Sequence, residues 1–181
     1  MTARPLARGF STVAFQAALM VTMTCTVVGV AAADEPQPLR RVRPQSARIA
    51  DAIAQGVERS ATFRRLVESI DATDGLVFVA EGKCQHGTRA CLLMSVVIAG
   101  SDRILRIFID PRRAPGCELV EVIGHELQHA VEVLSNAAIR SGIQMYRFFD
   151  RVKNNGDVKR FETAAARQTS LSVAREACRH S

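Results

Sequence analysis

His125-Glu126-Leu127-Gln128-His129 is the stretch whose residue types and spacing could do chemistry. Residues four apart on a helix lie one above the other on one face. Both imidazoles can therefore reach a single tetrahedral Zn2+. Glu126 sits beside them, rotated round the helix, where it can take a proton from a water on the metal rather than act as a ligand. With four histidines in the whole chain, an H-E-x-x-H arises by chance in only about 0.5% of sequences of this composition, which favours the metal reading. The flanking Val122, Ile123, Leu127, Ala130, Val131 and Leu134 mark a buried helix. Two imidazoles and a carboxylate are costly there unless they are satisfied. A metal satisfies them; hydrogen bonds from neighbouring groups are the alternative.

A catalytic zinc needs a third protein ligand and an open position. The downstream candidates are Asp150, Asp157, Glu162 and His180. Glu162 is favoured. It lies in FETAAARQ, read as the start of the last helix, and Ala164, Ala165 and Ala166 would let that helix pack closely. Two histidines and a glutamate form a catalytic zinc set; a first-turn glutamate that only complements the helix dipole is the alternative. Tyr146, the only tyrosine, could stabilise an oxyanion or simply pack in the core. Gln128 and Glu132 could support the ligands or face solvent. The run Ile104 to Ile109 could be a cleft edge that pairs with an extended substrate, or plain sheet core.

GHELQHAVEVL followed by FETAAA resembles the small zincin metallopeptidases. More narrowly it resembles the gluzincin branch, where a glutamate on a later helix completes the site. The resemblance implies a zincin-like fold over roughly residues 75–178: a sheet whose edge strand lines the cleft, packed on an H-E-x-x-H helix and a C-terminal glutamate helix. It further implies that His125, His129 and Glu162 hold Zn2+, that Glu126 is the general base, and that the substrate is a peptide or protein. The chain is also similar to short exported bacterial proteins of unassigned function that pair HELQHA with FET. It departs from the gluzincins in two ways. Many of them carry an acidic residue four positions after the ligand glutamate, where this chain has Ala166, and their domains are larger. These departures keep open a second function, a non-catalytic exported zinc-binding or envelope interaction protein.

The elements that must position these residues can be read from periodicity. From Ser46, apolar residues recur at helical spacing through Ile49, Ile53, Val57, Phe63, Leu66, Val67 and Ile70. Gly56 could divide this helix, and Ser60 or Thr62 could cap a second piece. Leu76–Ala80, Cys91–Ala99 and Ile104–Ile109 read as three strands joined by tight turns. They predict a small, largely antiparallel sheet. Helices are expected over Glu118–Leu134, about 136–153 and about 158–177, with a break at Asn154-Asn155-Gly156-Asp157. The fold class is α+β.

Residues 1–33 read as a signal peptide. Arg4 and Arg8 precede an uncharged apolar stretch that ends in Ala31-Ala32-Ala33; an uncleaved membrane anchor is the alternative. Residues 34–45, with Pro36, Pro38 and Pro44, read as a solvated linker, and 46–181 as the metal-binding domain. Cleavage after Ala33 removes two arginines and no acid, so the formal net charge falls from +6 to +4. That weakens charge as an argument for an anionic partner. Eight Phe, one Tyr and no Trp are too few aromatics for a nucleic-acid stacking surface. No stable membrane anchor is expected after cleavage. Cys84, Cys91, Cys117 and Cys178 then remain, an even number in an exported chain, which reads as two disulfides. A local Cys84–Cys91 bridge across a turn leaves Cys117 to pair with Cys178.

Overall fold

The computed structural model describes residues 41–152 and 161–178. The predicted signal peptide, residues 34–40 of the linker, the 154–157 break with Asp157, and His180 lie outside the described residues.

The sheet is built around β5 (Asp102–Ile109). On one side it pairs in parallel with β2 (Gly75–Glu81) over seven positions, and β2 pairs in parallel with β1 (Val42–Pro44). On its other side β5 pairs antiparallel with β3 (Ala90–Leu92) and β4 (Val97–Ala99). The class is α+β, as expected, but the sheet is mixed rather than largely antiparallel. Only β4 and β5 are joined by the expected tight turn, at Gly100-Ser101. The path from β2 to β5 first runs down the far side of β5 as β3 and β4, so β5 returns parallel to β2. The Cys91–Ala99 run is two short strands, broken where the Ser95 N–H turns back to the Leu93 carbonyl at 2.7 Å. β5 lies between neighbours on both sides and is sheet core; β3 lies at an edge. Val42 to Pro44 read from the sequence as part of the linker. They form a strand instead, because Val42 is fully buried and the β2 backbone supplies partners.

Alternate residues Val77, Val79, Leu105, Ile107 and Ile109 leave one face of the sheet fully buried, matching the period of two. The helices cover it. α1 (Ala47–Arg59) starts at Ser46, whose Oγ accepts from Ile49 N, and ends at Ser60. Ser60 Oγ in turn accepts from Phe63 N and caps α2 (Ala61–Asp71). The break therefore falls at Ser60 and not at Gly56. Gly56 stays within the helix, and the Phe63 ring packs where a β-carbon would stand, so glycine is what fits there.

The histidine helix is α3 (Glu118–Leu134), with the predicted bounds. It is followed by α4 (Gly142–Val152) and α5 (Ala164–Ala177). α4 begins later than expected because Asn136 Oδ1 accepts from Ala138 N and holds a turn before it. α5 begins at Ala164 because Thr163 is its N-cap, accepting from Ala166 N at 3.1 Å. Glu162 therefore precedes the helix instead of lying in its first turn.

Both expected disulfides are present, Cys84–Cys91 and Cys117–Cys178, with Cα separations of 6.0 and 5.7 Å. Cys117 adjoins the start of α3 and Cys178 the end of α5, so the second bridge fixes these helices antiparallel. Two disulfides fit an exported protein. No helix among the described residues is long and apolar enough to cross a membrane.

The opposite end of α3 is held by Arg103, which is 2% exposed. Its guanidinium donates to the carbonyls of Leu134 (2.6 Å), Asn136 (2.8 Å) and Ile139 (3.1 Å), and to Asp74 Oδ1 at 2.6 and 2.8 Å. A cation here satisfies carbonyls that the helix end leaves free and complements the dipole. The Arg103 hydrogen bond holds the Asp74 carboxyl below its ordinary range. The stability this carboxylate contributes is thus complete above about pH 4 and is lost as pH falls further. Replacing Arg103 by Leu strands Asp74 and several buried carbonyls. Urea unfolding should show a loss of roughly 3–5 kcal/mol, and Arg103→Lys, which keeps the charge but not the fork, an intermediate loss. A Leu variant as stable as the parent would contradict the clamp.

Candidate metal centre

His125 and His129 project from α3 one turn apart, with ring centroids 4.9 Å apart. Glu162, in the extended segment just before α5, meets them from the side, its Oε2 3.7 Å from His125 Nε2. One ligand atom from each of the three residues lies within 4.8 Å of the others. This group could hold a metal ion. Asp150, on α4, is not part of it.

The donor set fits a cation. Among the described residues, the buried side-chain oxygen that has no hydrogen-bond partner is Glu162 Oε1. Buried carboxylate oxygens are rarely left so, and a cation would satisfy this one. His129 is oriented for the same purpose: Glu132 Oε2 lies 3.0 Å from its Nδ1. A carboxylate only accepts, so Nδ1 carries a proton and Nε2 is the nitrogen left to act as a ligand once it is unprotonated. Glu132 Oε1 accepts from Thr163 Oγ1 at 2.7 Å. One carboxylate thus holds a histidine on α3 and the cap of α5, with Glu162 the next residue before that cap. No acid stands at Ala166, and its backbone favours the charged form of His125.

The electrostatics divide the two histidines. Burial, helped by the neighbouring His129 charge, pushes His125 down to about 4, so it is neutral at physiological pH. Burial also opposes a charge on His129, but the Glu132 hydrogen bond and the carboxylates of Glu126, Glu132 and Glu162 outweigh it and raise its pKa. Glu126 is 6% exposed. Burial raises it to about 7, against the pull of His129 and of the Leu92 N–H. That N–H belongs to the edge strand β3 and donates to Glu126 Oε2 at 2.7 Å.

These residues line a cleft of about 800 Å3 between β3, α3 and the segment before α5. Phe149 and Phe161 wall it beside His129, the Phe149 ring edge-on to the imidazole at 5.4 Å. Tyr146 does not line it; the ring is half exposed and packs edge-on against Phe161 at 5.2 Å. Gln128 and Glu132 are both partly buried. Gln128 accepts from Thr169 on α5 and does not support a ligand; Glu132 does. Sequence reasoning missed Thr163, although a threonine directly before an alanine run is a helix-start signal. It also missed Leu92, whose backbone contribution leaves no mark in the residue type.

No family model, curated protein or solved structure matches the chain, so the reading of the site rests on its own geometry. If the group holds a metal ion, His129→Ala and Glu162→Ala should each abolish its tight binding in a chelator-competition titration. Glu132→Ala, which leaves all three ligands in place, should weaken it by about 10- to 100-fold. Unchanged affinity in Glu132→Ala would contradict the orienting role.

Proposed function

We propose that the chain is an exported zinc-dependent metallohydrolase acting on peptide bonds. The observation that carries this reading is the convergence of His125, His129 and the unpartnered Glu162 carboxylate beside the buried Glu126. Two imidazoles and one carboxylate suit Zn2+ and leave a position open for chemistry. A zinc ion held there supplies Lewis acidity, which makes an attacking water more acidic and polarises a carbonyl.

The chain's own part is proton handling. Glu126, buried beside the three ligand candidates, is placed to act as a general base and, once protonated, as a general acid. It takes a proton from the attacking water. As the C–N bond breaks it returns that proton to the leaving amine. The Leu92 N–H fixes Oε2 and so sets the direction from which the carboxylate meets water. Leu92, Phe149 and Phe161 give the cleft apolar walls, which strengthens each charge interaction beside them.

A second reading is a non-catalytic zinc protein in which the metal cross-links α3 to the segment before α5. The Glu126–Leu92 bond favours it, because it gives Glu126 a structural task. Glu126→Gln keeps an acceptor for Leu92 and leaves the ligands intact. On the hydrolase reading this variant retains zinc, while hydrolysis of a generic peptide mixture falls by about 10²–10⁴-fold, and a chelator stops the parent protein. Full activity in Glu126→Gln would overturn the mechanism. Zinc binding with no hydrolysis by the parent would favour the second reading, and chelator-insensitive cleavage would contradict zinc dependence.

A further inference from the structure

The cleft is not uniform along its length. Two contacts fix its direction on α3. At the helix start, Arg89 reaches Glu118 at 3.7 Å, both side chains about half exposed. Near the other end, His129 meets Phe149. Glu118 and His129 are eleven residues apart, roughly 16 Å along a helix, which is the span of about five extended residues.

The end at Arg89 is cationic. Lys83 and Arg89 both line the cleft, and the Arg113 guanidinium lies against Gly87 in the same arm. The Cys84–Cys91 bridge ties this arm to β3, so the cations are fixed relative to the strand that holds Glu126. The other end is apolar, walled by Phe149 and Phe161. Glu126 and Glu162 are the only acids among the described lining residues, and both stand beside the histidines. Glu118, which shares the Arg89 charge, does not line the cleft. Low-dielectric walls carrying charge of one sign focus the field on whatever enters.

From this asymmetry we infer that the cleft selects extended peptides carrying a carboxylate toward Lys83 and Arg89 and a large apolar side chain toward Phe149 and Phe161. The inference rests on the proposed peptide-hydrolase reading and names its substrate class. The carboxylate can come from an aspartate or glutamate side chain or from a free C-terminus. Like-charged lysine peptides are repelled, and specificity arises from that repulsion as much as from attraction.

The test is binding to the zinc-loaded, oxidised full chain carrying Glu126→Gln, so that turnover does not intervene. The probes are fluorescent pentapeptides with phenylalanine at one end and aspartate or lysine at the other, in both orders, each as free acid and as C-terminal amide. In the better-bound order, the aspartate peptide should bind about tenfold more tightly than its lysine counterpart. High salt should erode the difference. Added Lys83→Glu and Arg89→Glu should reverse it without loss of zinc. If that charge reversal impairs folding, Lys83→Gln with Arg89→Gln should abolish the preference. A preference that survives amidation assigns the side chain as the source; one that follows the free acid assigns the C-terminus. Equal binding of acidic and basic peptides, no binding at all, or a preference untouched by either double substitution would overturn the inference. Separately, selective binding with no cleavage by the parent chain would defeat the hydrolase reading and leave the selectivity standing. Cleavage without selectivity would do the reverse.

Discussion

The Glu132 carboxylate is the constraint on which the site depends. One oxygen faces His129 Nδ1 and the other accepts from Thr163 Oγ1. The first contact sets the tautomer of a metal-ligand candidate. The second locks the N-cap of α5 against α3, and Glu162 adjoins that cap. Ligand candidates far apart in sequence are thereby brought to one place by a single side chain. An acid four residues after Glu162 would approach from α5; here the orienting acid stands on α3. A carboxylate with both oxygens engaged is costly to break, since removing it leaves two donors unpartnered.

That local geometry is useful only because α3 itself cannot shift. Its start adjoins Cys117, bridged to Cys178 at the end of α5. Its end is gripped by the buried Arg103. Between them, Gly124 lets Val173 and Phe63 approach the helix backbone closely. Glu121 and Gln128 add side-chain hydrogen bonds to Ser170 and Thr169 of α5. An apolar core helix thus carries polar groups that bond to its neighbours, and beside it, among the described residues, Glu162 Oε1 is the buried side-chain oxygen left without a partner. The cost of burying polar groups is offset everywhere else, which makes that exception informative.

Much of this was legible in the sequence where the signal is local. The H-E-x-x-H spacing located α3 and its two histidines, even cysteine numbers suggested both bridges, and Ser60 announced a cap. Non-local features were not legible. The parallel pairing of β2 with β5 depends on where the intervening chain travels, which strand periodicity does not encode. Arg103 lies just ahead of an apolar run and has no local mark of its clamp. Glu132 was one of two candidates because helical spacing alone does not say which face α5 covers. Glu162 was rightly grouped with the histidines but misplaced within the helix, because the capping role of Thr163 moves the boundary past it.

The central claim is that His125, His129 and Glu162 converge to hold one zinc ion. A crystal structure of the zinc-loaded protein, with data collected on both sides of the zinc absorption edge, tests it most directly. A single anomalous peak per chain should lie between the two imidazoles and the Glu162 carboxylate, with Glu132 still on His129. A chain that takes up no zinc, or a peak ligated elsewhere with Glu162 turned away, would contradict the account.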